Sequence, residues 1–112
     1  MINTKKVRVA RVSVRAMVED IVGCKWSLEV LGALRSGIMR PGKMERSVTG
    51  LTAKVLNERL RKLARYGIVQ RIAFPEVPPR VEYRLTSFGR KFAAILDQID
   101  QLEETLPPRR RA

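Results

Sequence analysis

In the stretch "AKVLNERLRKLARY", residues 53–66, side chains that can hydrogen-bond separate cleanly from side chains that cannot. On a helical wheel, Leu56, Leu60 and Leu63 fall on one narrow face, with Ala53, Ala64 and Gly67 near it. Lys54, Asn57, Glu58, Arg61 and Arg65 cluster opposite them. Such a set suits recognition of base edges in the major groove of duplex DNA. Arg can pair with guanine, Asn with adenine, and Glu can accept from cytosine. The helix's N-terminal residues approach the bases in helix-turn-helix readers. Thr52, Lys54, Asn57 and Arg61 are therefore the base-reading candidates. Arg59 and Lys62 lie on the flanks and suit phosphate contacts. Two alternatives stay open: Glu58 can balance Lys62 four residues on, and Arg59 can lie over the core edge. An ordinary solvated helix face would carry a similar pattern.

Charge supports a polyanionic partner. The chain holds 23 Lys and Arg against 11 Asp and Glu, a formal net charge of +12 in 112 residues. Nucleic acid is the simplest such partner, with acidic lipid or acidic protein as alternatives. Catalytic chemistry is poorly provided for. The sequence has no histidine, one cysteine and no glycine-rich phosphate loop, so no enzyme, zinc site or other cofactor is expected. A single cysteine, Cys24, allows no internal disulfide and fits a reducing, cytoplasmic compartment. No apolar run is long enough to span a membrane.

These residues must be positioned by one domain of modest size. Apolar residues make up 45% of the chain, enough for a small core. Ser13 can cap a first helix carrying Ala16, Met17, Val18, Ile21 and Val22, stopped near Gly23. "KWSLEVLGALRSG" reads as a second helix with Gly37 at its end, and "PGKMERSV" as a short third with Pro41 in its first turn. After "TGL", Thr52 caps the helix described above and Gly67 ends it. "IVQRIAF" favours a strand, "PEVPPR" a loop, and "VEYRLT" alternates Val81, Tyr83 and Leu85 with Glu82 and Arg84.

The expected fold class is α+β: a winged helix-turn-helix with a two-stranded β-wing and a long C-terminal dimerisation helix. The expected organisation is a basic arm over 1–12, the DNA-binding and dimerisation domain over 13–106, and a flexible basic tail over 107–112. The wing, 71–84, would lie on the flank of the DNA site. Its prolines restrict the backbone before any binding, and Arg80 is its best DNA-contact residue, ahead of Arg71 and Arg84. Glu76 is expected to pair with Arg80 and fix the loop, with Glu82 assisting.

"GCKW" (23–26), "GLTAKVLNERLRKLARYGIVQR" (50–71) and "FPEVPPRVEYRLTSFGR" (74–90) together resemble the HxlR-type winged-helix transcriptional regulators. The wing segment carries the most specific part of that resemblance, which extends over about residues 13–102. It implies a homodimeric transcription factor that binds a palindromic operator, as repressor or activator. It also implies that Thr52, Lys54, Asn57, Glu58 and Arg61 occupy recognition positions. Three departures stand out. Ser13 occupies a place where family members often have a cysteine, and a serine forms no thiolate. Cys24 stands where glycine is usual and is the one redox candidate, beside Lys25 and a tryptophan expected to be buried. Pro41 replaces a common aromatic.

"SFGRKFAAILDQIDQLEETL" carries Phe88, Phe92, Ile95, Leu96, Ile99 and Leu102 at three- and four-residue steps. The stripe is longer than one small domain needs for its own core. A dimer interface is expected there, joined by Val14, Met17, Val18 and Ile21 of the first helix. Folding back on the first helix of the same chain is the alternative. The expected function is sequence-specific binding of double-stranded DNA in transcriptional regulation, with no membrane partner. Non-specific chromatin-like DNA binding and a winged-helix protein-interaction module remain the rival readings. No small-molecule effector is marked by any motif.

Overall fold

A computed structural model describes residues 12–108. The expected basic arm and tail lie almost wholly outside the described residues. The elements run α1 (Val14–Val22), α2 (Ser27–Arg35), α3 (Pro41–Ser47), α4 (Ala53–Arg65), β1 (Val69–Phe74), β2 (Arg80–Leu85) and α5 (Ser87–Glu103). This is the expected winged helix-turn-helix order, with an antiparallel two-stranded wing and a long last helix.

Local chemistry sets most of the boundaries. Ser13, Thr52 and Thr86 each accept a backbone N–H from the first turn of the helix they precede, which satisfies a donor that would otherwise be orphaned. Pro41 occupies the first turn of α3, where its missing N–H costs nothing. At the end of α4, Gly67 takes φ 77°. The Gly67 and Ile68 amides then close back on Ala64 and Leu63 at 3.0 and 2.9 Å, a left-handed stop that glycine adopts without a Cβ clash. The end of α2 repeats the device, with Ser36 as the cap and Gly37 one residue beyond it.

The expected start of α2 is corrected. The helix begins at Ser27, not at Lys25, because Trp26 adopts a left-handed φ of 76° and caps it without a side-chain bond. Trp26 is also half-buried, not buried, and its indole lies against Gly50.

One core joins the helices to the wing. Ile21 of α1, Val30 and Leu31 of α2, Met44 of α3, Leu56, Leu60 and Leu63 of α4, and Phe92 and Leu96 of α5 are all buried together with Ile68, Val69 and Tyr83. The hairpin pairs Val69 with Leu85 at its base and Phe74 with Arg80 at its tip. On its other edge, the Tyr83 amide donates to the Met39 carbonyl at 2.8 Å, tying the wing to the α2–α3 connection. The Val77–Pro78 peptide in the wing loop is cis. Gly89 sits where α5 crosses the start of β1. A Cβ there would stand 1.8 Å from the Ile68 carbonyl oxygen, so only glycine allows this approach.

Candidate nucleic-acid interface

The apolar stripe of α4 is spent on the core. Leu56, Leu60 and Leu63 are buried, and α4 packs against α2, α3 and β1. This burial turns the opposite side outward. Thr52, Lys54, Asn57, Glu58, Arg61 and Arg65 are all exposed. Among the described residues, Lys54, Arg61 and Arg65 make no ion pair. Their donors are therefore available to a partner along a single ridge.

The flanking cations are placed differently. Arg59 is half-buried and its Nε donates to the Lys25 carbonyl at 2.8 Å, which anchors the loop before α2. Its guanidinium lies 3.9 Å from Glu58. Lys62 does not pair with Glu58 as the spacing allowed. Its ammonium instead donates to Asp20 Oδ1 of α1 at 2.8 Å and to Cys24 Sγ at 3.2 Å. The Tyr66 hydroxyl donates to the other Asp20 oxygen. Hydrogen bonds from Lys62 and then Tyr66 hold the Asp20 carboxyl below its usual range, while the bond to Asp20 raises both Lys62 and Tyr66. Cys24 is thus half-buried beside Lys62, whereas Lys25 turns away and stacks its ammonium 5.1 Å from the Trp26 ring.

The wing carries its own charge balance. Arg80 reaches Glu76 at 3.1 Å and Glu82 at 3.5 Å, and its guanidinium lies 3.9 Å over the Phe74 ring. The expected Glu76–Arg80 pair is present. Glu82, expected on a polar strand face, is buried, because Arg80 and Arg84 close over it from either side. A carboxylate can be buried here because it is matched by cations on both sides. Arg84 is therefore half of an internal pair, while Arg71 is exposed opposite Tyr83 in the register. Val77 at the tip is almost fully exposed.

The terminal stripe divides. Phe92 and Leu96 of α5, with Met17 and Ile21 of α1, belong to the core of this same chain, and Val18 packs against it. These five residues are covered within the same chain, but not by a fold-back of α5 on α1: α5 packs against α2 and β2, and α1 packs against α2. Val14, Phe88, Ile95, Ile99 and Leu102 remain exposed. Arg35 of α2 and Asp97 of α5 meet at 2.9 Å on the opposite side of α5, where the two helices pack.

Among the described residues no helix is long and apolar enough to cross a membrane, and no cluster of acids and cysteine is placed to hold a metal ion. Sequence reasoning missed Asp20 altogether. Its one available signal was an acid near the end of a short amphipathic helix, with nothing local to name its partner.

Comparison with known proteins agrees with this geometry. Residues 21–110 match the family described as HxlR-like helix-turn-helix. The chain is 38% identical over 88 residues to the uncharacterized HTH-type transcriptional regulator YtcD of Bacillus subtilis (strain 168), covering 79% of this chain and 69% of that one. It is 41% identical over 85 residues to the uncharacterized HTH-type transcriptional regulator sll1512 of Synechocystis sp. (strain ATCC 27184 / PCC 6803 / Kazusa), covering 76% of this chain but only 63% of the relative. Among solved structures, the redox regulator HypR in its oxidized form superposes with a TM-score of 0.73 at 32% identity, covering 86% of this chain and 98% of that one.

Proposed function

This chain belongs to the HxlR-like helix-turn-helix family of transcriptional regulators, and we propose that it reads specific duplex DNA as a homodimer. One observation carries the reading. The helix α4 buries its leucines and presents Thr52, Lys54, Asn57, Glu58, Arg61 and Arg65 on one exposed ridge. That ridge enters the major groove, where Asn57 and Arg61 meet base edges and Lys54 and Arg65 meet base edges or phosphates. The wing lies on the flank, with Arg71 as its available cation.

Pairing of two chains through the exposed residues of α1 and α5 presents two α4 ridges to one face of the duplex. The half-sites of a palindromic operator then lie about 34–36 Å apart, one helical turn. Regulation follows from blocking or recruiting polymerase at that operator.

Selection from a random duplex pool tests the proposal. The expected product is a two-fold symmetric sequence bound far more tightly than random DNA. Equal affinity for all duplexes would instead support compaction, which the +12 charge also favours. No duplex binding at all would support a protein-interaction module.

A further inference from the structure

Beside its exposed ridge, α4 has a flank whose polar groups are engaged within the chain. Arg59, Lys62 and the C-cap residue Tyr66 follow one another at three- and four-residue steps. They therefore lie along one side of the helix, between the buried leucines and the ridge. All three reach the segment that runs from the end of α1 to the start of α2. Arg59 Nε donates to the Lys25 carbonyl at 2.8 Å. Lys62 Nζ donates to Asp20 Oδ1 at 2.8 Å and to Cys24 Sγ at 3.2 Å. The Tyr66 hydroxyl donates to the second Asp20 oxygen, so one carboxylate holds two side chains at the end of α4. The Lys62 and Asp20 side chains are only 23% and 36% exposed, and charge-assisted bonds of this kind are about twice as strong as neutral ones.

The place of Asp20 on α1 gives this clasp its consequence. Met17 and Ile21 turn into the core, while Val14 and Val22 stay exposed. By helical periodicity Asp20 lies across the core-facing pair from those valines. One helix thus carries apolar residues of the proposed pairing face on one flank and the clasp on the other. α1 packs against α2, and α4 packs against α2, α3 and β1. Among the described residues, the side-chain hydrogen bonds that join α1 to α4 and its C-cap all end on Asp20. They grip the C-terminal end of α4, whereas Thr52, Lys54 and Asn57 project from its opposite end. Lys54 is eight residues from Lys62, about 12 Å along the axis. A tilt of about 10° pivoting at the clasp therefore moves Lys54 by about 2 Å. That is more than half of the step of about 3.4 Å between successive base pairs.

We propose that Asp20 is a positioning residue for DNA recognition: by clasping Lys62 and Tyr66 it sets where the two recognition helices stand relative to the pairing face, and so selects the half-site separation that the dimer accepts. The inference rests on the homodimeric DNA-binding reading above and adds to it the residue that sets the spacing. Asp20 acts through α4 and not by touching DNA. Loss of the clasp leaves the leucines buried and the ridge residues in place, so base preference within each half-site persists. What is lost is the fixed angle of α4. The released helix samples more orientations and tolerates separations that the clasped helix rejects.

The test uses duplexes that carry two inverted copies of the pool-selected half-site, with their separation varied one base pair at a time. The unaltered protein, Asp20→Asn and Tyr66→Phe are compared. The unaltered dimer is expected to bind one separation at least about tenfold more tightly than its one-base-pair neighbours, an effect the size of a single mismatched pair. Asp20→Asn should reduce that ratio to about threefold or less, or move the optimum. Tyr66→Phe should give an intermediate ratio, and both variants should remain dimeric with the same base preference within a half-site. An unchanged ratio and optimum in Asp20→Asn would overturn the inference and leave the DNA reading standing. An equal loss of affinity at every separation would do the same, because a merely structural residue acts on all separations alike. If the unaltered protein binds no duplex, or binds every separation equally, the homodimer reading falls and the spacing role with it. If circular dichroism shows that Asp20→Asn does not fold, Tyr66→Phe decides alone, since it keeps the carboxylate and its bond to Lys62; an unchanged ratio there overturns the inference.

Discussion

Lys62 of α4 and Asp20 of α1 meet at 2.8 Å across 42 residues of sequence, so a cation of the recognition helix is committed to positioning that helix. Tyr66, one turn further along, binds the same carboxylate. Lys62 on α4 and Tyr66 at its C-cap thereby tie this helix to α1.

Replacing Asp20 with asparagine should lower the melting temperature slightly, with a characteristic pH dependence. Asp20 is held below its ordinary value of 3.8, so its contribution is present above that pH and is lost as pH falls through the depressed value. Lys62 and Tyr66 are raised above 10.5 and 10.0, so theirs is present below those values and lost as pH rises through the raised ones. The difference between the two proteins should therefore form a plateau between these limits and shrink at both ends. Thermal melts across pH check this, and a difference that does not vary with pH would remove the tether from the account.

Arg61 and Lys62 are neighbours in sequence with opposite fates, so alanine at each should act differently. Arg61→Ala should cost about 1–3 kcal/mol of binding to the selected sequence and relax specificity at one base pair. Lys62→Ala should weaken DNA binding less than Lys54→Ala does, because Lys54 has no internal ion pair whereas Lys62 has. Affinity measured on a panel of single-base variants separates the two. Uniform weakening by Arg61→Ala would deny it a base contact.

Gly89→Ala tests the crossing of α5 over β1. The new Cβ would overlap the Ile68 carbonyl at 1.8 Å, and backbone must move to relieve it. The expected loss is about 3 kcal/mol, the upper part of the range for overpacking. Denaturant unfolding measures it, and a loss under about 1 kcal/mol would mean that α5 shifts freely.

These cases also mark what was legible in the chain. The α4 stripe, the caps at Ser13 and Thr52, and the hairpin all follow from patterns a few residues long, and all are present. Asp20–Lys62 and Arg59–Lys25 are contacts across 42 and 34 residues, which periodicity does not encode. Glu82, expected to assist the Glu76–Arg80 pair, does reach Arg80, but alternation reports only strand faces and does not show its burial under Arg80 and Arg84. Trp26 escaped for another reason: it takes a left-handed backbone, against the preference of its residue type.

The stripe of α5 supplies the last prediction, because spacing alone could not divide it. Phe92 and Leu96 are almost wholly buried within one chain, while Leu102 is 68% exposed and Ile95 50%. Exposed apolar residues in a contiguous row mark an interaction surface. Ile99→Asp and Leu102→Asp should therefore leave the fold intact and convert a dimer to a monomer, seen by analytical ultracentrifugation. The same change at Leu96 should instead unfold the chain, since it places an unpaired carboxylate in the core. Loss of pairing should also abolish the advantage of a two-fold symmetric duplex over a single half-site, because each chain then docks alone. A monomeric unaltered protein, or Ile99→Asp and Leu102→Asp proteins that remain dimeric, would place the pairing surface elsewhere or remove it.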